Sequence, residues 1–324
     1  MEALIAGCLS ALEFGDLQQH GNMAVLPLLP KSPSGPEYLT LAQALEQRLL
    51  RVTEVSQAGS VPDLQVANIA DVPVLLLDGE ELAGAKQNRV LNTTILLKEK
   101  SEMVIPVTCT EQGRWSYSSA EFRDSGVLAA HRMRSSSSAS VSRSLAATQR
   151  HTSDQGAAWA EISQMSTESG VHSSTGAMRD IYEAKTADLN DYVKAFPAVP
   201  GQRGILVLVN GQPEGLDVLS LGGAYATLHL KLVKSYALDA ILQSKSENQK
   251  PSRERAAEFL KQAALAEEKQ YDSVGHGSDY RYKGADVVGS ALVWRQTVVH
   301  LAFFAAVKSE GSMASSRRRQ GFRT

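Results

Sequence analysis

The sequence is poor in the features that most readily declare a function. Its 324 residues contain only two cysteines, Cys8 and Cys109. They lie far apart and form no CxxC, which argues against a disulfide framework and fits free thiols in a reducing, cytoplasmic compartment. Charge of one sign is not in surplus: 33 Lys and Arg face 35 Asp and Glu, so no global field draws the chain to nucleic acid or to an anionic membrane surface. No apolar run approaches the ~18 residues of a membrane span. Residues 1–9 lack a basic n-region, carry Glu2 and soon meet Glu13 and Asp16, a poor signal peptide. Also absent are a Walker A loop, GxGxxG, HExxH, GxSxG and any internal repeat. No two of the seven histidines stand at metal-ligand spacing, which excludes a zinc site of the usual kind. His229 and His300 lie in apolar patterns and read as ordinary core or surface histidines.

What remains is the composition of an ordinary globular protein, 43% hydrophobic and 21% charged. Residues 23–29 read as an edge strand running into a Pro, Ser and Gly loop at 31–36. Thr40 caps a helix in which Leu41, Ala44, Leu45 and Leu49 share a face, and residues 52–55 extend again. Four β-branched runs follow at 64–69, 72–77, 90–97 and 103–109, enough for an antiparallel sheet or half a sandwich.

Beyond Trp115 the character changes. The serine-rich stretch 135–144 reads as a mobile or surface connection. Asp154 caps a helix with Trp159, Ile162 and Met165 on one face, and Ser174 or Thr175 caps another that continues through Tyr192 and Phe196 to Pro197. Residues 205–209 and 216–221 pair through an Asn210-Gly211 turn. Gly222-Gly223 opens a long helix, Pro251 sits in the first turn of the next, and strands at 280–282, 287–294 and 297–304 close the chain. The expectation is a single α+β domain over residues 1–308, β-rich to 125, helical from 127 to 200 and mixed from 201. An antiparallel sheet or sandwich drawn from both chain thirds carries the helical segment beside it. Residues 309–324 form a disordered basic tail, better read as a solvated terminus than as a nucleic-acid contact.

Chemistry is concentrated in residues 78–92, a polar loop between two apolar runs whose hydrogen-bonding groups are costly to bury without partners. Asp78 and Glu80 suit general-base catalysis or a hold on Mg²⁺, while Lys86 and Arg89 suit phosphate or carboxylate. Gln87, Asn88 and Asn92 can read a ligand edge as donors and acceptors, and Gly79 and Gly84 allow close backbone approach. A structural reading fits the same residues, with Glu80 or Glu81 paired to Lys86 or Arg89 and the asparagines closing turns. A second cluster, Glu111, Gln112, Arg114 and Trp115, offers an anion clamp and a stacking plane, or a strand-end turn with a core Trp. If its strand runs antiparallel to its neighbour, the two clusters converge at one sheet end. Residues 173–176 read as a helix cap rather than a phosphate site, and His276 and Asp279 as loop residues.

Several of these segments together resemble a known family. Residues 73–82, 84–89, 91–92, 105–107 and 111–115, including Asp78-Gly79-Glu80-Glu81, Lys86-Gln87-Asn88-Arg89 and Glu111-Gln112-Gly113-Arg114-Trp115, resemble the ADP-ribosylglycohydrolase and rhodanese-phosphatase associated protein domain. The likeness continues through 155–159, 173–178, 209–211, 231–240 and 289–291, spanning about residues 5–305. The resemblance implies a family named for its genomic company, and points toward ADP-ribose, nicotinamide nucleotide or phosphate-ester metabolism. Three functions compete. The first is a cytoplasmic binding module for a nucleotide-like or ADP-ribose-like small molecule, with Lys86, Arg89 and Arg114 on its anionic groups, Trp115 on its ring, and Gln87, Asn88, Asn92, Glu111 and Gln112 around it. The second is a hydrolase of ADP-ribosyl or phosphoester substrates in which Asp78 and Glu80 activate water or hold Mg²⁺. The third is a protein-interaction domain that needs no ligand.

Overall fold

Residues 204–209, Gly-Ile-Leu-Val-Leu-Val, carry no polar side chain, and a strand of that kind needs cover on both faces. In the computed structural model, which describes residues 1–31, 34–243 and 250–306, strand Gly204–Val209 is buried at every position. Ile205, Val207 and Val209 enter one hydrophobic core and Leu206 and Leu208 another. Met23–Pro30 pairs antiparallel on one side of it and Gln212–Leu219 on the other. The sheet then extends through Thr297–Ala305, Val287–Trp294, Ser278–Lys283 and Glu267–Asp272, with the short strands Leu12–Phe14 and Gln18–His20 both on Met23–Pro30.

Helices Ala3–Ser10 and Arg253–Ala264 cover one face of this nine-stranded sheet, and helix Gly222–Leu242, with the helices of 131–195, covers the other. Each large apolar side chain so buried contributes roughly 1.5–3 kcal/mol relative to exposure. A six-stranded sheet, Phe122–Leu128, Glu80–Gly84, Arg89–Leu91, Ser101–Cys109, Asp63–Asn68 and Leu50–Glu54, encloses a third core together with a small sheet of Ile95–Leu97, Val74–Leu76 and Leu39–Thr40. Along residues 74–77 alternation divides the side chains: Val74 and Leu76 enter this third core, Leu75 and Leu77 the helix-covered one. The result is an α+β domain on antiparallel sheets drawn from both chain thirds, with one parallel pairing among the described residues, Leu39–Thr40 with Val74–Leu76.

Local signals acted as their chemistry dictates in several places. Thr40 and Gln43 form a capping box, Asp154 accepts from the Ala157 amide, and Asn210 and Gly211 take positive φ in the hairpin turn. Six expectations need correction. Met23–Pro30 is not an edge strand, because Leu12–Phe14 and Gln18–His20 pair with it on the side away from Gly204–Val209. The serine-rich stretch is not a connection but part of an 18-residue helix, His131–Thr148, because Arg134, Ser138, Val141 and Leu145 recur on one buried face. Residues 78–92 are not a loop: they contain strands Glu80–Gly84 and Arg89–Leu91. The run 90–97 is two strands, broken at residues 92–94. The helix beginning at Met178 breaks at Lys185, and its start is tied by Ser173 Oγ accepting from the Ala177 amide, with no side-chain cap from residues 174 or 175. Pro251 precedes the Ser252 cap of Arg253–Ala264. The basic tail lies outside the described residues.

Candidate functional site

The polar stretch and the serine-rich helix meet at a buried guanidinium. Arg134, fully buried, donates from Nε and Nη2 to Asp78 Oδ2 and Oδ1, both at 3.2 Å, and from Nη1 and Nη2 to Asp217 Oδ2 and Oδ1 at 3.1 and 2.6 Å. Asp217, on strand Gln212–Leu219, also accepts from Tyr236 Oη at 3.0 Å and faces His300 Nε2 at 3.3 Å. Thr94 Oγ1 donates to Asp78 at 3.0 Å and contacts His300 Nδ1 at 2.8 Å. Burial alone would raise the Asp217 carboxyl, but Arg134 and then His300 hold it well below the ordinary range. Gly79 is required here: its φ is +81°, and a Cβ would stand 2.9 Å from Arg134 Cγ.

Two further buried charge groups flank this centre. Lys231, on the long helix, pairs with Glu80 Oε1 at 2.7 Å and with Asp124 Oδ2 at 2.7 Å, while Glu80 Oε2 accepts from the Leu77 amide. Burial disfavours the Lys231 ammonium, yet Glu80 and Asp124 raise its pKa above the ordinary value. His131 lies 2.5 Å from Asp239 and 2.9 Å from Glu214, and Asp239 also pairs with Arg132. Burial works against the imidazolium of His131, but Asp239 and Glu214 outweigh it and raise its pKa to about 9. A folded-state pKa above the unfolded one gives stability that is complete below pH ~6.5 and lost as pH rises through about 9. Thermal unfolding is therefore expected to show an alkaline decline on the order of 2–3 kcal/mol between pH 6.5 and 9 that His131→Gln flattens. An equal decline in the variant would assign it to other groups.

The two sequence clusters do converge. Strand Ser101–Cys109 runs antiparallel to Arg89–Leu91, with Cys109 opposite Arg89, which carries residues 111–115 back over residues 84–88. Arg114 grips Glu111 through Nε and Nη2 at 2.9 and 2.6 Å, Asn88 Oδ1 at 3.2 Å and the Ala85 carbonyl at 2.7 Å. Burial would raise the Glu111 carboxyl, but Arg114 and Thr175 bring it below its ordinary pKa. Gln87 Nε2 reaches the Gln112 carbonyl at 3.4 Å. Arg89, with no exposed surface, donates Nη1 to Gln87 Oε1 at 3.2 Å, while its Nε and Nη2 make no hydrogen bond among the described residues. Trp115, 46% exposed, lies over Arg89 at 5.5 Å and beside Lys86 at 5.3 Å. Asn92 Oδ1 accepts from Thr108, and its Nδ2 donates to the His151 carbonyl.

Two clefts border this assembly. A narrow one of about 30 Å³, lined by Asp78, Asn92, Thr108, Arg134 and Glu161, has room for about one water. A wider one of about 420 Å³ is lined by Asn88, Glu111, Arg114, Arg123 and Arg179. Glu80, Lys86, Gln87, Arg89, Gln112 and Trp115 line neither. Asp78 and Glu80 are each paired with a cation of the protein, and among the described residues no three His, Cys, Asp or Glu groups are placed for a metal ion. Both cysteines are free, and among the described residues no helix is long and apolar enough to cross a membrane. Sequence reasoning missed Arg134, Asp217, Lys231, Asp124 and the role of His300. The one available signal was a charge recurring on an otherwise buried face, as in Leu228, Lys231 and Leu232.

The fold and site define a class: an α+β domain on antiparallel sheets, organised round buried ion pairs, with a polar cleft at their edge. The chain belongs to the ARG and Rhodanese-Phosphatase-superfamily-associated Protein domain family, whose model matches residues 11–304. No curated protein and no solved structure matches it.

Proposed function

We propose that the protein is a binding domain for a nucleotide-like or ADP-ribose-like small molecule, seated in the cleft where residues 78–92 and 111–115 meet. One observation carries this reading: of the three arginines round that cleft, Arg114 and Arg179 are paired with Glu111 and Glu183, whereas Arg123 makes no ion pair among the described residues. An exposed, uncompensated guanidinium beside a rigid, prepaired one suits a phosphate. Trp115 offers a half-exposed ring near the same turn, and the family's association with ADP-ribosylglycohydrolase and phosphatase proteins supports a ligand of that chemistry. The free thiols support a reducing, cytoplasmic setting.

The test is thermal unfolding with ADP-ribose and NAD. A ligand at 100 times its dissociation constant adds about 2.7 kcal/mol, and the stabilisation is expected to vanish in Arg123→Glu. No stabilisation by any of these compounds, or the same stabilisation in the variant, would overturn the reading.

A hydrolytic second reading is favoured by one feature: Asp78 and Glu161 line the same narrow cleft, and burial raises the Glu161 carboxyl. It requires turnover of an ADP-ribosyl or phosphoester substrate that is lost in Asp78→Asn with the fold retained.

A further inference from the structure

The largest cavity described lies elsewhere, on the opposite flank of helix His131–Thr148. It measures about 570 Å³, within the range of ~300–1,000 Å³ that small-molecule sites occupy. Its origin is compositional. The helix face turned toward strands Glu267–Asp272 and Ser278–Lys283 carries Ser135, Ser136, Ala139, Ser142 and Ala146, side chains too short to fill the space between helix and sheet. Serines that look like filler in the sequence thereby hold a cavity open.

Its electrostatics are one-sided. Arg143, Lys269, Arg281 and Lys283 line it against a single carboxylate, Glu267, in a chain whose net charge is −2. Arg281 is 4% exposed; its Nη2 donates to Asp279 Oδ2 at 2.6 Å, but its buried Nε has no hydrogen-bond partner among the described residues. An unpartnered buried guanidinium nitrogen is costly, and an anion beside the Arg281 side chain would offset that cost. The remaining wall, with Tyr271, Val288, Ala139 and Ala146, suits an uncharged ring.

We infer that this cavity is a second ligand site, independent of the cleft at Arg123, for a phosphorylated small molecule of about mononucleotide size. Its phosphate lies among Arg281, Lys283 and Arg143, and its body lies against the serine and alanine face of the helix.

Titration calorimetry of the full chain with pyrophosphate, AMP and ADP tests this. At least one probe is expected to bind and to lose at least tenfold in affinity in Ser142→Phe, which fills the cavity, and in Lys283→Glu, which reverses a charge at its exposed rim, while Arg123→Glu leaves that affinity unchanged. The Lys283→Glu variant serves even if Ser142→Phe disturbs the helix. Absence of binding by all three probes, or affinity that survives both cavity variants, overturns the inference. Loss in Arg123→Glu alone overturns it too, while leaving the first cleft as the site.

Discussion

Replacement of Arg134 by leucine is expected to cost about 3–5 kcal/mol of folding stability, the range for removing one partner of a buried ion pair. That is a large part of the roughly 5–15 kcal/mol that holds a domain together. The reason is specific: Arg134 supplies four hydrogen bonds to two carboxylates, and leucine would leave Asp217 fully buried with Tyr236 and His300 as its side-chain partners among the described residues. The deficit should shrink in acid, since Asp217 loses the guanidinium that keeps it ionised and protonates in the folded state. Urea unfolding at pH 7 and pH 5 measures both effects. Adding Asp78→Asn and Asp217→Asn should recover part of the loss, because neutral amides are less costly to bury than carboxylates. A cost below ~1 kcal/mol would place Arg134 among ordinary surface pairs and contradict its role as the joint between the two sheet systems.

Lys231→Met is expected to be of similar size, about 3–5 kcal/mol, and to act through Glu80. The Glu80 carboxylate has no exposed surface and, among the described residues, two hydrogen-bond partners, the ammonium and the Leu77 amide. Methionine matches the length of the lysine stem and fills its space, so packing loss is small and the measured cost is electrostatic. Glu80→Gln in the same chain should restore more than half of it. If the double variant is no more stable than Lys231→Met alone, the pair is not coupled, and Glu80 must be held by something other than Lys231.

These two residues also show where a sequence stops being readable. The hairpin at Asn210-Gly211, the capping box at Thr40 and the closing strands around Arg295-Gln296 are legible because each is a local decision, made by residues within a few positions of one another. The convergence of residues 111–115 on residues 78–92 is legible for nearly the same reason, since one antiparallel pairing brings it about. Lys231 finds Glu80 across 151 positions and Arg134 finds Asp217 across 83, and no periodicity announces such pairs. Arg134 has a further disguise. Its neighbours are serines, whose composition suggests a connection, while the spacing of Ser138, Val141 and Leu145 marks a buried helical face. The buried strands Glu80–Gly84 and Arg89–Leu91 resemble a loop in sequence because polar residues in strands normally face water. Here Glu80 faces Lys231 of a helix distant in the chain, while Glu81 accepts from Thr110 and Arg89 donates to Gln87.

Residues 78–92 thus serve two ends. Asp78, Glu80 and Asn92 are engaged in holding the sheets and helices together, while Asn88, with Glu111 and Arg114, forms a prepaired wall at the edge of the wider cleft. The proposal that this edge receives a nucleotide-like ligand is tested most directly by calorimetric titration of ADP-ribose into the full chain, alongside Arg123→Glu and Lys283→Glu. Binding that falls at least tenfold in Arg123→Glu and is unchanged in Lys283→Glu is the expected result. Equal affinity for the unaltered chain and Arg123→Glu, or no measurable heat with any of the three, would contradict it.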